Sequence, residues 1–117
     1  LVATDGVSTI DGAGSGIVVS IIADDVTFSG FNVVNSGADP ITCSGIGLAD
    51  ISGCTIENNT LSGNANGIVI TASAAGDADC ENNIIRNNTI TNCAAYGIAL
   101  VGYYTYSPLT SDRPFRQ

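Results

Sequence analysis

The 117-residue sequence predicts an all-β chain wound as a right-handed parallel β-helix, a solenoid of about four coils with no helix of note. Three observations carry that prediction. The phrase Gly-Ile-x-(Val/Leu/Ile) recurs at Gly16–Val19, Gly45–Leu48, Gly67–Ile70 and Gly97–Leu100. A second phrase, Ile56-Glu57-Asn58-Asn59-Thr60-Leu61, matches Ile85-Arg86-Asn87-Asn88-Thr89-Ile90 position for position, and Phe28-Ser29-Gly30-Phe31-Asn32-Val33 is a degenerate copy. Within each phrase apolar residues alternate with polar or small ones, the period of a strand, and no apolar stripe at helical spacing persists for two turns.

Alternation assigns Ile17/Val19, Ile46/Leu48, Ile68/Ile70 and Ile98/Leu100 to the interior and Val18, Gly47, Val69 and Ala99 to the outside. Near-identical phrases favour a solenoid over a meander or propeller, because each coil then meets the same neighbours above and below. Ile46 to Ile68 is 22 positions, whereas Ile17 to Ile46 and Ile68 to Ile98 are 29 and 30. Loops at Asn35–Pro40 and Ala72–Asp79, built from Gly, Ser, Ala and Asp, account for the longer steps. The coils occupy residues 1–102 and residues 103–117 form a C-terminal cap or tail. There Tyr103, Tyr104, Tyr106 and Phe115 either fold over the last coil or dock on a second chain, while Pro108 and Pro114 break further pairing. The N-terminal half-coil, Leu1–Ile10, carries no capping helix, so self-association through ends or flat faces is expected.

Together with Ser8-Thr9-Ile10-Asp11-Gly12-Ala13-Gly14, these phrases resemble the parallel β-helix repeats of the pectin-lyase-like superfamily. They are most similar to its NosD-like, periplasmic, carbohydrate-binding and sugar-hydrolase branch, over roughly residues 8–101. The resemblance implies the fold and leaves the function broad, since the superfamily holds lyases, hydrolases, epimerases, adhesins and non-catalytic surface modules. NosD-like relatives imply copper, but the soft and imidazole ligands for that metal are reduced here to four scattered cysteines, and no copper is expected. The superfamily's lyases imply acidic Ca²⁺ ligands and a basic residue, a role open only to Arg86.

Composition narrows the choice. Charged residues make up 12%, mean hydropathy is +0.30 and net charge is −8, with Arg86, Arg113 and Arg116 the only basic side chains. Neither a disordered chain nor a nucleic-acid binder has that profile, and anionic membrane surfaces are disfavoured as well. No apolar run approaches the roughly 18–20 residues of a membrane span. No signal peptide is visible and the chain opens at Leu1, as a mature product or a piece of something longer would.

Stacking at about 4.8 Å per coil places Asn58 over Asn87, Asn59 over Asn88 and Glu57 over Arg86. Asn58-Asn59-Thr60 and Asn87-Asn88-Thr89 are N-glycosylation sequons. The preferred reading is an asparagine ladder, because the motif coincides with the repeat and Asn tolerates the left-handed backbone of a tight corner. Glu57 and Arg86 are expected to pair across neighbouring strands. Cys54 and Cys80 lie about one coil apart and could bridge, whereas Cys43 and Cys93 are about two coils apart, near 9–10 Å and beyond disulfide reach. One bridge or none follows. Without CxxC spacing or His, structural zinc is not expected.

Chemistry is tightly bounded. There is no His, Lys, Met or Trp, so no Ser–His or Cys–His nucleophile exists and no catalytic residue is assigned. Carboxylates alone remain: Asp24 with Asp25, Asp50 with Glu57, and the run Asp77, Asp79, Glu81. The last three would face one side if extended and form a candidate calcium site. The outward row Val18, Gly47, Val69 and Ala99, with Ser20, Ala49 and Thr71 beside it, is small and flat enough for ice, without a regular Thr-x-Thr array. The leading expectation is a non-catalytic module, surface-structural or weakly glycan-binding, secreted or on a cell surface, with polysaccharide as a partner. The alternative is a fragment or relative of a carbohydrate-active enzyme using carboxylates, and the third is an ice-binding solenoid.

Overall fold

A computed structural model describes residues 1–4, 8–72 and 80–102, together with the backbone of 115–116. Thirteen short strands follow in order: β1 (Thr9–Asp11), β2 (Val19–Ile21), β3 (Thr27–Ser29), β4 (Asn32–Val34), β5 (Ile46–Ala49), β6 (Thr55–Glu57) and β7 (Thr60–Ser62). Then come β8 (Asn66–Ala72), β9 (Cys80–Glu81), β10 (Ile84–Arg86), β11 (Thr89–Thr91), β12 (Tyr96–Gly102) and β13 (Phe115–Arg116). They fall into three main sheets, ordered β1-β4-β7-β11, β3-β6-β10 and β2-β5-β8-β12. Every paired neighbour is parallel. The chain visits the three sheets in constant rotation and returns one strand further along each time, which is a right-handed parallel β-helix. No helix occurs among the described residues.

The second phrase holds the register expected of it. Phe28 lies on Ile56 and Ile56 on Ile85, while Val33 lies on Leu61 and Leu61 on Ile90. The first copy of the Gly-Ile phrase does not. Val19, not Ile17, stacks on Ile46, and Ile21 on Leu48. The run Ile17-Val18-Val19-Ser20-Ile21 alternates equally well two residues out of step, so its pattern alone cannot choose. Ile17 therefore lies outside, 43% exposed, where it covers Gly47, and Val18 packs against the core instead of facing out.

The core is a column of stacked aliphatics: Ile46, Leu48, Ile56, Leu61 and Ile68 are fully buried, with Phe28 and Val33 beside them. Three kinds of corner join the sheets, and each places at least one residue in the left-handed region. Gly30, Asn58 and Asn87 do so between β3/β6/β10 and β4/β7/β11, while Asn35, Gly63 and Asn92 do so at the next corner. Asp25, Gly53 and Asn82 serve the third. Gly is required at residue 30, where a Cβ would stand 2.0 Å from the Ala3 carbonyl oxygen; Asn suffices where the corner is open. The extra length between Val34 and Ile46 begins later than expected: Ser36 and Gly37 are buried, and Gly37 N–H donates to the Gly16 carbonyl, so both still belong to the coil. Ala72 ends β8 rather than opening a loop, and residues 73–79 lie outside the described set. At the C-terminal end β13 pairs in parallel with β9, Phe115 on Cys80 and Arg116 on Glu81.

Candidate functional site

The two adjacent asparagines of the repeat have opposite jobs. Asn58 and Asn87 hold the left-handed corner with φ 58° and 55° and are exposed. Asn59 is buried, and its side chain works inward. Its Oδ1 accepts the Phe31 N–H at 3.0 Å, and its Nδ2 donates to the Phe28 carbonyl at 3.2 Å and to Asn88 Oδ1 at 3.1 Å. Asn88 repeats the arrangement one coil on, accepting the Asn59 N–H at 3.0 Å and donating to the Ile56 carbonyl at 2.9 Å. A corner leaves the preceding coil's backbone groups short of ladder partners, and the amide, with one donor end and one acceptor end, supplies both.

Two further rungs escaped the sequence reading. Asn64 accepts the Ser36 N–H and donates to the Val33 carbonyl, and Asn83 accepts the Cys54 N–H and donates to the Ile51 carbonyl. The geometry is the same at all three kinds of corner. The signal that could have found them is a left-handed residue followed by Asn within two residues of a strand start: Gly63-Asn64 and Asn82-Asn83, like Asn58-Asn59. In the earlier coil Phe31 occupies the rung position and stacks on Phe28, ring centroids 4.6 Å apart.

Several of the carboxylates are committed to structure. Arg86 Nε lies 2.7 Å from Glu57 Oε1, across directly paired strand positions. Asp24 accepts the Ser52 N–H at 2.8 Å and Asp39 that of Ile41 at 2.8 Å. Asp11 accepts from Ala13 N–H and the Asn35 amide, and these bonds hold its carboxyl below the usual range. Asp25 and Asp50 are left-handed corner residues, and of the pairs Asp24/Asp25 and Asp50/Glu57 one member each is already engaged, Asp24 by the Ser52 N–H and Glu57 by Arg86. Of the candidate calcium ligands, Asp77 and Asp79 lie outside the described residues; Glu81 pairs its backbone with Ser52 and Gly53.

Cys54 and Cys80 are not bridged. Asn83, not Cys80, stands over Cys54, and the two thiols turn to different carbonyls, Ala23 and Thr71. Cys43 is buried, and partial burial pushes the Cys93 thiol up. No three His, Cys, Asp or Glu residues converge as metal ligands among the described residues. Soft-metal coordination needs thiolates or imidazoles aimed at one point. Here the sequence has no His or Met, and its buried thiols face separate partners, the Ala23 and Thr71 carbonyls for Cys54 and Cys80 and the Thr42 hydroxyl for Cys43, so the residues present do not fit copper.

One place open to a ligand is the outer face of β2-β5-β8-β12. Ile17, Ile22, Ile41, Ser20, Thr42 and Thr71 help to line a groove of about 170 Å³ there, and among the described residues no carboxylate or arginine lines it. Ile22 and Ile41 stand 86% and 90% exposed at its rims. The flat row expected on this face is actually Ser20, Gly47, Val69 and Ala99, and Ile17 lying over Gly47 breaks it. Threonines stack instead on the outer face of β1-β4-β7-β11, as Thr60 and Thr89 with Thr9 two strands away, interrupted by Asn32.

A family model described as periplasmic copper-binding protein (NosD) matches residues 6–110. No curated protein and no solved structure matched the chain. The family's periplasmic description agrees with the secreted or cell-surface placement expected from the sequence. Parallel coils in register and a match spanning nearly all of them lead to one conclusion: the chain belongs to the NosD family.

Proposed function

We propose that this chain is a non-catalytic β-helix module that lays a neutral polysaccharide along the outer face of β2-β5-β8-β12. The observation that carries the reading is the groove between Ile22 and Ile41, where aliphatic side chains alternate with the hydroxyls of Ser20, Thr42, Ser44 and Thr71 and none of the described lining residues is charged. Sugar rings offer apolar C–H faces and a rim of hydroxyls, which suits that mixture. A polyuronate suits it less. The chain carries a net charge of −8, and Arg86, the basic residue among the described coils, is held by Glu57. None of the described lining residues is aromatic, which points to weak contact.

Catalysis is not part of the reading, because Asp11, Asp24, Asp39 and Glu57 are engaged in corners and cross-coil pairs. Nor is copper, whose ligands the described residues do not assemble. The test is a titration of the whole chain, followed by NMR shifts, with neutral mannan and β-glucan oligomers beside polygalacturonate and alginate. Shifts confined to the groove with neutral oligomers, abolished in Thr71→Arg, are expected. Release of new reducing ends from any substrate, or binding insensitive to Thr71→Arg, would defeat the proposal.

A further inference from the structure

The corner between β6 and β7, with its copy between β10 and β11, carries a feature that glycan binding leaves unused. In Asn58-Asn59-Thr60 and Asn87-Asn88-Thr89 the first asparagine is exposed, the second is locked into the ladder, and the threonine is exposed. Among the described residues no hydrogen bond holds the side-chain amide of Asn58 or Asn87. Their left-handed backbone puts these residues at the outside of a turn, away from the core, while Asn59 and Asn88 turn inward.

We propose that this corner is an N-glycan acceptor site, with Asn58 and Asn87 as alternative attachment points and one of them occupied per chain. The sequon supplies the acceptor amide and the hydroxyl two residues on. The fold adds two conditions that the motif does not contain: a substituent on Nδ2 at either position meets solvent, and the two positions sit on adjacent coils, about 4.8 Å apart. That spacing leaves room for one branched oligosaccharide and blocks the transferase from the second. The donor is a lipid-linked oligosaccharide. The amide nitrogen attacks its C1, an N–C1 bond forms, the C1–O bond to diphosphate breaks, the amide loses one proton and the polyprenyl diphosphate leaves, with no change of oxidation state.

The whole chain, secreted by a eukaryotic cell line with an intact N-glycosylation pathway, is analysed by intact mass and by peptide mapping after enzymatic deglycosylation. A sequon tag on a co-secreted control protein confirms transfer. A single glycan is expected, distributed between Asn58 and Asn87, on a chain whose circular dichroism and melting match the deglycosylated form. Asn58→Gln should shift it wholly to Asn87, and the double variant Asn58→Gln/Asn87→Gln should lack it. An unmodified chain, two glycans on one chain, or a glycosylated chain that fails to fold would each overturn the proposal.

Discussion

Two consecutive coils spell nearly the same words and hold them differently. In the coil running through β6, β7 and β8, Ile56, Leu61 and Ile68 are fully buried and Asn59 is 1% exposed. One coil later, on β10, β11 and β12, Ile85 and Ile90 are only half-buried, Ile98 is 49% exposed and Asn88 is half-buried. The residues are alike and the register is continuous, so local propensity does not separate them. The difference is the neighbour on the far side: β8 lies between β5 and β12, whereas β12 pairs with β8 alone among the described strands. A side chain in a stack draws its stabilisation from two coils, its own identity setting only the upper bound.

The sharpest way to break that comparison is truncation in both coils. Ile68→Ala should cost about 3–4 kcal/mol, in the range for a buried aliphatic, and Ile98→Ala about 1 kcal/mol, since much of its surface already meets water. Urea unfolding of the two variants measures the gap; equal losses would show that the outer coil is covered. Next comes the ladder. Asn59→Leu strands the Phe31 N–H and the Phe28 carbonyl and should cost about 2–3 kcal/mol. Asn88→Leu, half-buried, should cost less, because water reaches the groups it strands. Thermal melting of the pair checks the order.

How far these residues were legible beforehand depends on how much information each carried. The six-residue phrase settled the stacking of Phe28, Ile56 and Ile85, because only one alignment matches it. Gly-Ile is too short for that, and within a run of aliphatics it misplaced Ile17 and Val18. Asn64 and Asn83 were overlooked because Gly63 reads as loop punctuation, although a positive φ followed by an inward amide is the same device as Asn58-Asn59. The groove was out of reach of periodicity altogether: Ile41 reaches its rim from a turn between strands.

Smaller effects refine the picture. Glu57→Gln removes the ion pair that joins the two coils, with Arg86 57% exposed, and should cost less than about 1 kcal/mol, shrinking further in high salt. A salt-independent loss would mean that the pair is better shielded than its exposure indicates. The smallest concerns Asp11, which ties the first coil to Asn35 in the next. Hydrogen bonds from Ala13 and Asn35 lower its pKa in the folded chain. Its contribution is therefore present above the ordinary carboxylate range and is lost as pH falls through the depressed value. Melting curves of the native chain and Asp11→Asn should differ near neutrality and converge in acid.

The all-parallel pairing also dictates how such a molecule can assemble. Asn88 reaches the Ile56 carbonyl 32 residues back, and Asn59 meets Asn88 across 29, so no two adjacent strands can zip from a tight turn. Bringing the first such pair together costs about 3 kcal/mol in closure entropy before any burial offsets it. Once two windings have met, each further one finds a ready edge. Folding is thus expected to be slow to start and quick to spread, with a rate set by the first encounter.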